Sequence, residues 1–86
     1  MILERSDRYF RSYRKLTADE KERVRKALRL LESDMRHPSL RVKRLQGTAG
    51  IWSARASNEL RITFEPIPGG IRLRAVGRHD ATLRSP

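Results

Sequence analysis

The stretch WSARASNELRITFEPIPGGIRLRAVGR, Trp52 to Arg78, decides the fold. Three runs within it alternate apolar and polar residues. Trp52, Ala54 and Ala56 alternate with Ser53, Arg55 and Ser57. Leu60, Ile62 and Phe64 alternate with Arg61, Thr63 and Glu65. Ile71, Leu73 and Ala75 alternate with Arg72, Arg74 and Val76. A period of two means strands with one buried face. A tight turn and the turn residues PIPG separate the runs, so the stretch predicts a three-stranded antiparallel meander.

Parity predicts which residues share a face, because opposed residues on antiparallel strands do. Core positions are even-numbered on the first two strands, so opposed pairs sum to an even number. The simplest loop is then Asn58–Leu60, with Arg55 opposite Thr63 and Arg61 opposite Ser57. Between the second and third strands the pairs sum to an odd number, leaving the four-residue loop Pro66–Gly69. On this reading Arg55, Arg61, Arg72, Arg74 and Arg78 all share the face turned away from the core.

Upstream, MILER reads as a short strand. Ser6 or Asp7 then caps a helix with Tyr9, Phe10, Tyr13 and Leu16 on one stripe. Thr17 and Glu20 have capping-box spacing. Behind them Val24, Ala27, Leu28, Leu31 and Met35 make one apolar face of a second helix, which Pro38 ends near Arg36. HPSLRVKRLQGTAG reads as a loop or irregular strand carrying Arg41, Lys43 and Arg44. The helices are expected to pack on one side of the sheet, with the arginines on the other.

The 86-residue chain has a net charge of +10. Residues 1–35 hold ten Lys/Arg against seven Asp/Glu, and residues 36–86 ten against three. The excess therefore sits with the sheet, and all of its basic residues except Lys43 are arginines. Arginine's planar fork suits phosphate, so the partner expected is a polyanion. The alternative is a solvated face with Glu59 and Glu65 as scattered counter-ions. There is no cysteine and so no thiolate metal site. No apolar run reaches the length of a membrane span, and MILERSDRYF has no signal-peptide core. His79 suits proton transfer near neutral pH, although adjacent strand residues point apart, so direct help from Asp80 needs a bend. His37, before Pro38, reads as a loop residue. Two histidines with few carboxylates make no metal constellation.

The order of these elements resembles the RelE/ParE superfamily of bacterial toxins over almost the whole chain. The likeness is carried by Leu45-Gln46-Gly47, by Trp52 with Arg55, by Leu60-Arg61 and by His79-Asp80. The wording IWSARASNELRITFE and HDATL also resembles the RelE-like domain attached to some UvrD-type helicases. The resemblance implies an α+β, RelE-like fold: an N-terminal strand and two helices on one face of an antiparallel sheet, in a single domain spanning residues 1–86. It implies a cytoplasmic toxin of a type II toxin–antitoxin system that cuts mRNA on the ribosome and blocks translation. The cut is metal-independent attack of a ribose 2′-OH, leaving a 2′,3′-cyclic phosphate. Its partners would be a cognate antitoxin, the ribosome and mRNA, with no cofactor and no membrane.

Carried over by position, the resemblance implies Arg61, His79 and Lys43 as catalytic residues: Arg61 on the scissile phosphate, Lys43 for base and charge stabilisation, His79 as acid or base. Arg55, Arg41, Arg44, Arg72, Arg74 and Arg78 would bind RNA phosphates. Leu83 stands where many active members carry a tyrosine. Two other readings therefore stay open: a ParE-like inhibitor of DNA gyrase, and a catalytically inactive RNA- or protein-binding module.

Overall fold

A computed structural model describes all 86 residues. Strand β1 (Ile2–Arg5) leads into helix α1 (Asp7–Arg14) and helix α2 (Ala18–Ser33). A single 3-10 turn, Pro38–Leu40, precedes the short strand β2 (Lys43–Arg44). Strands β3 (Trp52–Arg55), β4 (Leu60–Ile67) and β5 (Gly70–Arg78) form the meander, and helix α3 (His79–Arg84) follows. The five strands make one sheet in the order β1-β5-β4-β3-β2, with β1 parallel to β5 and the other pairs antiparallel. The class is α+β, with the meander and the two N-terminal helices as expected.

Both helix starts follow from their caps. The Ser6 hydroxyl accepts from Tyr9 N at 3.0 Å. Thr17 and Glu20 close a full capping box, at 3.1 Å and 2.9 Å. The apolar face of α2, Val24, Ala27, Leu28 and Leu31, packs with Tyr9 and Leu40 against Ala54, Leu60, Ile62, Phe64, Ile71, Leu73 and Val76. Helix α2 ends at Ser33, slightly before the expected Arg36, because Asp34 leaves helical geometry. Where β1 stops, α1 takes over the open edge of β5. The Ser6 hydroxyl donates to Arg74 O at 3.2 Å, and Val76 N donates to Ser12 Oγ at 3.0 Å. These side chains satisfy edge groups that would otherwise face solvent unpaired.

Four expectations are corrected. First, Arg55 pairs with Arg61, not with Thr63, so the β3–β4 turn is Ser57–Glu59. The loop is odd as expected, but Leu60 is only 2% exposed and belongs to the ladder and the core. Second, β4 and β5 are joined by Pro68 and Gly69 alone, because Ile67 already pairs with Gly70. Gly69 has a φ of 80°, which the tight turn requires. Third, a bulge lies where Phe64 pairs with Leu73 but Thr63 pairs with Ala75, leaving Arg74 as the extra residue. It inverts the alternation beyond it. Val76 turns into the core beside Ile62, and Arg78 turns with Leu60 to the helix side, away from Arg61. Fourth, His79–Arg84 is a helix, not a strand tail, and it lies over the face opposite α2. Gly77, paired with Arg61, sits so close beneath Thr82 that a Cβ there would be 2.8 Å from Thr82 Oγ1. Thr63 Oγ1 donates to Pro86 O at 3.0 Å. Part of the presumed open face is therefore covered, and Thr63 and Ala75 are buried under it.

Candidate nucleic-acid interface

Register partners Arg55 and Arg61 lie side by side on the face away from the core. Lys43 pairs with Ser53, which puts it on that same face one row away. Continuing the β2–β3 register places Arg41 beside Arg55, although Arg41 itself adopts left-handed geometry with φ 45°. Arg41, Lys43, Arg55 and Arg61 make no ion pair with any carboxylate. Arg55 donates to the Asn58 side-chain oxygen. Arg61 Nη1 donates to the turn carbonyls of Ser57 at 2.8 Å, Leu60 at 3.0 Å and Asn58 at 3.3 Å. Those bonds aim the guanidinium and leave its other N–H groups unassigned. Partial burial, then the nearby charges of Arg55 and Arg41, hold the Arg61 guanidinium below the usual arginine range. An anion at this point relieves the repulsion among three cations.

Arg61 also lines a cleft of about 640 Å³ with Asn58, Glu59, Arg78, His79, Asp80 and Ala81. The β3–β4 turn forms one wall and the first turn of α3 the other. Because His79 starts a helix, Asp80 reaches it after all: His79 Nδ1 and Asp80 Oδ1 are 2.9 Å apart. That bond holds the Asp80 carboxyl below the usual carboxylate range. With Nδ1 held, Nε2 is the ring nitrogen left to exchange a proton. No three His, Asp or Glu side chains gather closely enough to hold a metal ion.

The structure thus brings Arg61 and His79 into one cleft, with Arg55 and Arg41 alongside. Lys43 stands at the outer end: two strands and two residues from Arg61 is roughly 12 Å between Cα atoms on ideal spacings. The other predicted cations lie elsewhere. Arg44 pairs with Trp52 and so shares the core-side face. Arg72 bridges Glu4 at 2.6 Å and Glu65 at 3.1 Å, and Arg74 meets Glu65 at 3.4 Å and the Pro86 carbonyl at 3.2 Å. Arg78 pairs with Glu59 at 2.6 Å and Glu20 at 3.5 Å. Carboxylates thus neutralise three arginines that sequence parity had grouped with Arg61. Asn58 is a cleft residue that sequence reading missed; its place in the expected turn was its only signal.

No family model matches the chain, and no curated protein does. Solved structures do. YafQ from E. coli strain BL21(DE3) aligns at a TM-score of 0.78 and 14% identity, covering 94% of this chain and 96% of that one. A YoeB/ParE toxin from Agrobacterium tumefaciens aligns at 0.74 and 20% identity, covering 92% and 99%. The chain has the RelE/ParE toxin fold. The toxin–antitoxin complex RelBE from E. coli gives 0.68 and 20% identity, with 92% of this chain and 96% of that one covered. At such identities the RelE/ParE fold is what is shared. In this chain, the cleft lies between the β3–β4 turn and the start of α3.

Proposed function

We propose that the chain is the toxin of a type II toxin–antitoxin pair and acts as a ribosome-dependent mRNA endoribonuclease. The carrying observation is the cleft that sets Arg61, a cation without a carboxylate partner, beside the His79–Asp80 pair. Arg61 with Arg55 and Arg41 holds the scissile phosphate. The 2′-oxygen gives up its proton and bonds to phosphorus; the P–O5′ bond breaks, and O5′ leaves with a proton. The products are a 2′,3′-cyclic phosphate and a 5′-hydroxyl. His79 Nε2 carries one of the two proton transfers, and the arginines stabilise the charge growing on the phosphorane. Lys43 adds charge at the outer end of the row, within reach of a neighbouring phosphate. A cognate antitoxin that covers the basic row would silence the toxin.

A second reading has one observation in its favour. Leu83 is half-buried on α3 and offers no hydroxyl where a tyrosine was expected. A binding-only module or a ParE-like gyrase inhibitor would keep the basic row without the cut. Inducible expression with mapping of mRNA 5′ ends separates these readings. Cuts inside translated regions that vanish in Arg61→Ala and His79→Ala support the ribonuclease. Growth arrest with DNA damage signalling and no cuts supports the gyrase inhibitor; no toxicity at all supports the binding module.

A further inference from the structure

The β4–β5 ladder ends at the pair Leu60 and Arg78. One step beyond it, Glu59 ties the two walls of the cleft twice. Its carbonyl accepts from His79 N at 2.6 Å, and its carboxylate accepts from Arg78 Nη1 at 2.6 Å. The second arm of the Arg78 fork, Nη2, lies 3.5 Å from Glu20 Oε2. Glu20 is itself fixed by the capping box, its Oε1 accepting from Thr17 N at 2.9 Å. An unbroken chain of polar contacts therefore runs from the start of α2 through Glu20, Arg78 and Glu59. It ends at the turn just before Arg61 and at the backbone of His79.

We propose that Arg78 and Glu59 are positioning residues that hold His79 in register with Arg61. The importance of that placement for cleavage rests on the ribonuclease reading; the placement itself does not. Helix α3 has only six residues and little helical stability of its own, so what its first turn is tied to sets its direction. Arg78 can serve because its planar fork reaches carboxylates on two different elements, which a lysine's point charge does not. The arrangement also removes Arg78 as a competitor for phosphate, leaving Arg61 as the cleft arginine without a carboxylate. As a source of stability the Arg78–Glu59 pair is minor. Its side chains are 67% and 72% exposed, so solvent screens most of the attraction. Variants at these positions should therefore fold, and a loss of function in them reports geometry.

The test uses Arg78→Ala, Glu59→Ala and Arg78→Lys in the full chain, with two readouts. The first needs no RNA: NMR signals of the His79 ring, with His37 as internal control. Both alanine variants should shift and sharpen the His79 signals while those of His37 stay in place. The second is cleavage of mRNA on ribosomes. Here kcat should fall about 10- to 100-fold with little change in KM, as a misplaced group produces. Arg78→Lys should recover only part of that loss. Unchanged His79 signals, or a raised KM at constant kcat, would overturn the proposal; the latter would make Arg78 an RNA ligand. If the wild type cuts nothing while His79 still shifts in the variants, the positioning stands and the ribonuclease reading fails.

Discussion

Arg61 has two tasks that pull in different directions. Its Nη1 closes the β3–β4 turn, while the rest of the guanidinium faces the cleft. Arg61→Ala should remove the anion site and also loosen the turn, at a stability loss of about 1 kcal/mol for the hydrogen bonds removed. Arg61→Lys should keep the charge but lose the fork. Phosphate affinity, read by RNA titration at fixed salt, should then fall between wild type and alanine. Equal binding by all three would remove Arg61 from the site. Tyr9 gives an independent check on the core. Burial pushes its phenol up to about 12 from the ordinary 10.0. The folded state thus favours the neutral phenol. Its contribution is complete below pH 10 and is lost as pH rises from 10 to about 12. Comparing tyrosinate absorbance between wild type and Tyr9→Phe should show a phenol ionising near the upper value. Ionisation near 10 would mean that Tyr9 is solvated.

At the scale of elements, close approaches decide which strands and helices stay attached. A Cβ on Gly70 would sit 1.9 Å from the Ile2 carbonyl oxygen, in the parallel β1–β5 pairing. Gly70→Ala should therefore separate β1 from β5 and destabilise by about 1–3 kcal/mol or more, read from denaturant midpoints. An unchanged midpoint would contradict the close packing of that edge. The elements themselves were largely legible in the sequence. Period-two alternation identified the meander, the Thr17–Glu20 spacing identified the start of α2, and its apolar stripe identified the face that packs. The bulge at Thr63 and Phe64 was not legible, because one inserted residue leaves no mark in a short alternating run; Ala75 and Val76 both suit a buried position. Helix α3 was hidden for a similar reason. HDATLR has no apolar periodicity, and its burial depends on Gly77 leaving room for Thr82. These two misses account for the misplaced Arg78 and for the unexpected contact of Asp80 with the His79 ring.

Across the whole molecule, the charge of +10 is unevenly matched. Glu4, Glu20, Glu59 and Glu65 neutralise Arg72, Arg74 and Arg78, while Arg41, Lys43, Arg55 and Arg61 have no such partners. RNA binding should therefore weaken steeply with salt, with a slope reflecting about three to four phosphates. Substituting Arg55 or Arg61 should reduce that slope by about one each, whereas Arg72→Ala should leave it unchanged. The sequence showed that the sheet half of the chain was basic. Which arginines remain free depended on long-range pairings, Glu65 with Arg72 and Arg74, Glu4 with Arg72, and Glu59 and Glu20 with Arg78, that no local pattern reveals. The central claim is that the Arg61–His79 cleft cuts mRNA on the ribosome. Induced expression of wild type, Arg61→Ala and His79→Ala, followed by 5′-end mapping, tests it most directly. Cuts within translated regions in the wild type alone, with new 5′-hydroxyl ends, are the predicted result; growth arrest with no such cuts, or cuts that persist in both variants, would contradict it.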